Sequence, residues 1–114
     1  VLTSMDQQDL LSIGCTRSPE DQALLLASLV YESGLDGVVC SAKEATKMKQ
    51  QIASDFKLVT PGIRPVLAEL GGQKRVMTPA EAMQAGSDYL VIGRPITLAQ
   101  DPAAALDDIL RTLS

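Results

Sequence analysis

Histidine and tryptophan are missing from these 114 residues, and the aromatics amount to Phe56, Tyr31 and Tyr89. Without His, a zinc site would lack one of its usual ligands, so no metal is expected. The two cysteines, Cys15 and Cys40, stand far apart with no CxxC spacing. That is the pattern of reduced, buried thiols in a cytosolic protein. Basic runs are also missing, and the formal charge is −4. Nucleic acid is thereby excluded as a partner, since it demands clustered Lys and Arg; a small anion held by one or two well-placed cations is not. No apolar run approaches the length of a membrane span, and no signal-peptide pattern is visible. Finally, the chain opens on Val1-Leu2-Thr3-Ser4 rather than on Met, as if inside a strand. It is expected to be a piece of a longer protein.

What is present is apolar and aliphatic: 46% of residues are hydrophobic, enough for one core and no more than one domain. Ser18-Pro19-Glu20-Asp21 has the form of a helix start, with a cap, a first-turn proline and two acids at the positive end of the dipole. Leu25, Leu26, Leu29 and Val30 then recur at helical spacing, and Gly34 closes the helix. Asp36–Cys40 is a short apolar strand. Ser41 and Glu44 predict a capping box for a helix running towards Ala53, with Lys43, Lys47 and Lys49 on its wet side. Phe56–Thr60 is a second strand, closed by Pro61-Gly62. A polar loop containing Gly71-Gly72-Gln73-Lys74-Arg75 follows. Thr78-Pro79-Ala80-Glu81 is another capping box, opening a short helix that stops at Gly86. Asp88–Ile92 is a third strand, and Asp101-Pro102 starts a last amphipathic helix with Leu106, Ile109, Leu110 and Leu113.

Strands with continuous apolar runs, alternating with helices, predict an α/β fold of parallel βα units buried on both faces. Three whole strands and a partial one at the N-terminus cannot close a parallel barrel, which takes eight. A small open sheet is the rival architecture. In both, ligands sit at the C-terminal ends of the strands. Those ends read Thr3-Ser4, Cys40-Ser41, Thr60-Pro61-Gly62-Ile63-Arg64 and Gly93-Arg94-Pro95-Ile96-Thr97. Arg64 and Arg94 each follow a strand closely. Gly93 has no side chain to block the approach of an oxyanion to its N–H, and Arg94 offers a planar fork of donors. The same dipeptide also suits a plain tight turn with a surface arginine, Pro61-Gly62 a plain turn, and Gln73 either a solvated tip or a donor on a closing loop. None of these ends carries an Asp, Glu, Lys or His to act as acid, base or nucleophile, so no catalytic residue is assigned. Asp36 and Asp88 fall at the opposite strand ends, where a structural role is expected.

Four segments together carry a resemblance: Val1–Met5, Gly34–Ser41, Leu58-Val59-Thr60-Pro61-Gly62-Ile63-Arg64-Pro65 and Asp88-Tyr89-Leu90-Val91-Ile92-Gly93-Arg94-Pro95-Ile96-Thr97. In order and spacing they resemble bacterial-type orotidine 5'-phosphate decarboxylases over essentially the whole chain. Other phosphate-binding barrels, such as ketogulonate-phosphate decarboxylases, are the confusable relatives. The resemblance implies a TIM (β/α)8 barrel of which residues 1–114 are the C-terminal portion, from the end of strand 5 to helix 8. It implies a cytoplasmic homodimer without cofactor, converting orotidine 5'-phosphate to uridine 5'-phosphate and CO2. By position it assigns Thr3 and Ser4 to the pyrimidine ring, Pro61 to the ring-pocket wall, and Arg64 and Gln73 to ligand contacts, Gln73 on the loop over the phosphate. Gly93 and Arg94 become the phosphate donors. The family's catalytic Asp-x-Lys-x-x-Asp motif does not occur here, which predicts a fragment that binds but does not turn over alone and that pairs with the N-terminal half of the barrel. A non-catalytic binding or assembly half-barrel is the competing expectation.

Overall fold

Helix starts are where the local chemistry is most explicit, and the computed structural model, which describes residues 1–65 and 77–113, follows it closely. Ser18 Oγ accepts from the Asp21 N–H at 3.1 Å and opens helix α2, Pro19–Glu32. Gly34 just beyond its end takes φ +87°, a left-handed conformation that lets the chain reverse into strand β1, Gly37–Val39. Thr78 and Glu81 exchange both bonds of a capping box at the head of α4, Pro79–Ala85, which Gly86 ends at φ +114°. Between these lie α3, Ala45–Gln51, and β2, Lys57–Thr60. Strand β3 is Tyr89–Leu90, and the chain ends through α5, Arg94–Thr97, and α6, Pro102–Leu113.

Among the described residues the sheet has three strands in the order β1-β2-β3, all parallel. Val38 stands beside Leu58, and Thr60 beside Leu90. Parallel pairing puts all three C-terminal ends on one side of the molecule. Helices α2 and α3 cover one region of the sheet with a core of Ala23, Ala27, Cys40, Ala45, Met48, Phe56 and Leu58. A second, smaller cluster of Ala42, Ile63 and Ala82 lies towards α4.

Several sequence expectations are corrected. The N-terminus is not a partial strand: a Met5 N–H to Leu2 C=O bond closes a turn, and Asp6 and Asp9 form a capping box that starts α1, Gln7–Ser12. Ser41 does cap, but through the Lys43 N–H at 3.2 Å, and it opens a 3-10 turn, Ala42–Glu44, with Glu44 buried in it. Lys49 is not on a wet face. Its ammonium donates to the Phe56 carbonyl at 2.8 Å and pairs with Asp88 at 2.7 Å. The leucine stripe of α2 is half exposed, because the helix lays its small face, Ala23 and Ala27, on the sheet. The third strand is shorter than expected, although the Val91 N–H still bonds the Thr60 carbonyl at 3.0 Å.

Candidate functional site

The segment leaving β2 is bent by Pro61 and by Gly62, whose φ of +75° is a conformation only glycine adopts without strain. Ile63 then forms a parallel bridge with Met77. The Arg64 N–H donates to the Met77 carbonyl at 2.9 Å, and the Met77 N–H to the Gly62 carbonyl at 3.2 Å. These bonds join Gly62–Arg64 to Met77 and fix the backbone that carries Arg64, a residue only 7% exposed. The segment leaving β3 turns at Gly93, whose carbonyl accepts from the N–H groups of Ile96 and Thr97. Pro95 sits in the first turn of the resulting short helix α5, where its missing N–H costs nothing. Among the described residues, a side chain built on Gly93 would meet no atom within 4 Å, which leaves space beside that backbone.

These two segments converge. Pro61, Arg64, Gly93 and Arg94 line one cavity of about 230 Å3, together with Gly62, Ile63, Val91 and Pro95. Arg64 is buried and Arg94 exposed, so the two cations stand at different depths around the same space. Among the described residues the lining contains two guanidinium groups, a bare glycine backbone and apolar walls, and no carboxylate, amine or thiol side chain. Chemically it can bind an anion through charge-assisted forks.

The other assigned positions fall elsewhere. Thr3 is buried and Ser4 exposed in the N-terminal turn, and neither lines this cavity. Gln73 lies outside the described residues. Sequence reasoning passed over Ile63, Val91 and Pro95 as walls and missed α5 altogether; the proline directly after Gly93-Arg94 is the signal that would have revealed it. At the opposite strand ends, Asp88 has the structural role expected of it. Its Oδ2 accepts from Lys49 Nζ and from the Leu58 N–H at 2.9 Å. Partial burial pushes the Asp88 carboxyl up, but those two bonds and the charges of Lys49 and Lys57 outweigh it and hold the pKa below the usual carboxylate value.

Residues 1–109 match the model of the orotidine 5'-phosphate decarboxylase / HUMPS family. The chain is 61% identical over 114 residues to the orotidine 5'-phosphate decarboxylase of Vibrio atlanticus (strain LGP32), covering all of this chain and 49% of that protein. It is 60% identical over the same length to that of Vibrio vulnificus (strain YJ016), again covering 49%. The crystal structure of orotidine 5'-phosphate decarboxylase from Lactobacillus acidophilus superimposes with a TM-score of 0.77 at 38% identity, covering 100% of this chain and 46% of that one. The chain thus spans about half the length of the curated relatives it matches. Its parallel βα units are part of a (β/α)8 barrel, and the chain belongs to the orotidine 5'-phosphate decarboxylase / HUMPS family.

Proposed function

We propose that the chain is the phosphate- and pyrimidine-binding portion of a decarboxylase that converts orotidine 5'-phosphate to uridine 5'-phosphate and CO2. The observation that carries this reading is the convergence of Arg64, Gly93 and Arg94 on one cavity at the C-terminal side of the sheet. Barrels often hold phosphate on the loops after their last two strands, and the arginines occupy the loops after β2 and β3. Arg94 and the Gly93 N–H grip the phosphate, Arg64 supports the ligand from deeper in the cavity, and Pro61 walls the ring pocket. Gln73 contacts the ligand from the loop beyond Arg64, and Thr3 and Ser4 meet the pyrimidine.

Bond cleavage belongs to residues outside this chain, because no Asp-x-Lys-x-x-Asp motif occurs in it. The division is physically coherent. Holding a non-reacting dianion supplies binding energy that organises a site around the transition state, while a separate group delivers the proton. The partner is the N-terminal half of the same barrel. A groove of about 310 Å3 beside the outer edge of β1, which no strand among the described residues covers, is walled by Leu26, Val30, Leu35 and Val39 and supports that docking. The assembled protein is a cytoplasmic homodimer that works without metal or organic cofactor.

The test is complementation. This chain alone shows no turnover of orotidine 5'-phosphate, whereas mixing it with the N-terminal half of the Vibrio atlanticus relative restores decarboxylation. Turnover by the pure chain, or a stable but inactive complex of the two halves, would overturn the assignment. In the active assembly, Arg94→Ala weakens capture of the phosphorylated substrate far more than of orotidine itself; equal losses would remove Arg94 from the phosphate.

A further inference from the structure

Helix α6 leaves most of its apolar face uncovered. It is 12 residues long, and of its four large apolar side chains only Ile109 is buried. Leu106, Leu110 and Leu113 are 37–53% exposed. At about 100° per residue these three fall in one stripe, next to the line of half-buried Ala105 and buried Ile109. Among the described residues α6 packs mainly on α4 and α5, so the layer it belongs to is helical. A helix of this length is marginal in water by itself, and its order depends on what it packs against. Segments with few buried apolar contacts are the first to open. By contrast Leu58 and Thr60 of β2 are wholly buried.

The occupant of the stripe follows from coverage and from the layer. The chain spans about half of the curated relatives it matches. In a (β/α)8 barrel the helices form a closed outer ring, so each has a helical neighbour on both flanks. Helices α4 and α5 supply one flank of α6. Leucines at i, i+4 and i+7 make a ridge of the kind that packs into the groove of a second helix. Resting on the reading of this chain as one part of a decarboxylase barrel, we propose that Leu106, Leu110 and Leu113 seat a helix of the N-terminal half, and that α6 is locked in place only when that helix docks. This is a second seam, on a helix rather than on the β1 edge, and it makes the order of α6 a consequence of assembly.

The experiment is amide hydrogen exchange on the chain alone and with the N-terminal half of the Vibrio atlanticus relative. Alone, the α6 amides exchange well before those of β2. With the partner at about 100 times its dissociation constant, opening of a segment that must close for binding falls about 100-fold, and the α6 amides slow accordingly. Leu110→Glu leaves exchange in β2 of the isolated chain unchanged but weakens binding by about tenfold or more, because its carboxylate is buried in the seam without a partner. Ala104→Glu adds the same charge at an exposed position on the far side of α6 and binds as the parent does. A complex that protects β1 while α6 exchanges as before, or equal binding by Leu110→Glu and the parent, would overturn this seam and leave the proposed function standing. Absence of any complex would remove both. Protection of α6 that rises with the concentration of the chain alone would assign the stripe to a second copy and also overturn the proposal.

Discussion

Gly37 is the residue at which β1 comes closest to β2. A side-chain carbon built there would fall against the Lys57 carbonyl oxygen and lie 2.8 Å from the carbonyl carbon. Gly37→Ala must therefore push the strand pair apart and is expected to lower stability by at least the ~1–3 kcal/mol typical of overpacking, read as a lower urea midpoint; an unchanged midpoint would show that β1 sits farther from β2. Asp88 offers a pH-dependent counterpart. Its pKa is lowered on folding, so its contribution is present above the unfolded value of ~3.9 and fades as pH falls through the folded value. Asp88→Asn is expected to cost about 1–3 kcal/mol at pH 7, the range for bonds to a charged group, with the gap to the parent chain narrowing as pH falls below the unfolded carboxylate value. A gap that stays constant as the pH is lowered would remove the charge from the explanation. Neither residue announces this role locally. Lys49 and Asp88 are 39 positions apart, and the Gly37 contact depends on strand register. The neighbouring positions of Arg64 and Arg94 were legible because each closely follows an apolar run, which places both at the C-terminal side of the sheet, where they line one cavity.

Elements whose signals lie within four residues were readable; those that depend on neighbours were not. Ser18-Pro19, Thr78-Pro79 and the terminating Gly86 were all anticipated, since a cap is a bond between residues two or three apart. Helix α1 escaped notice because its capping box uses Asp9 in place of the usual Glu or Gln, and α5 because it is four residues long. The leucines of α2 gave the correct helix but not its buried face, since periodicity cannot distinguish a stripe facing this sheet from one facing something else. The cap of α4 can be tested directly. Thr78 satisfies the Glu81 N–H at 3.3 Å, and the Glu81 carboxylate takes the Thr78 N–H at 3.1 Å and hydroxyl at 2.8 Å. Thr78→Ala is expected to cost about 1 kcal/mol, and Thr78→Ser, which retains the hydroxyl, to cost much less. Equal losses in thermal denaturation would mean that the methyl group, not the capping oxygen, matters.

As a whole the molecule is a slab, 18 Å along its shortest axis and 41 Å along its longest, with a parallel sheet whose two outer strands each have one edge unpaired among the described residues. Apolar side chains gather at both edges: Leu35 and Val39 beside β1 are 61% and 59% exposed, and Tyr89 and Val91 at β3 are 61% and 50% exposed. Exposed edges of this kind invite pairing with another chain, and parallel strands are rarely stable with bare flanks. If the complementary half-barrel covers them, its binding must stabilise this chain by mass action, by about 2.7 kcal/mol when its free concentration is 100-fold above the dissociation constant. The denaturation midpoint of the chain is therefore expected to climb with added N-terminal half of the Vibrio atlanticus relative. Val39→Glu, at an exposed position on the free edge of β1, should leave the isolated chain's own midpoint nearly unchanged while flattening that climb, because the new carboxylate would be buried at the seam without a partner. A concentration-independent midpoint, or an undiminished climb in Val39→Glu, would show that the β1 edge is not where the two halves meet.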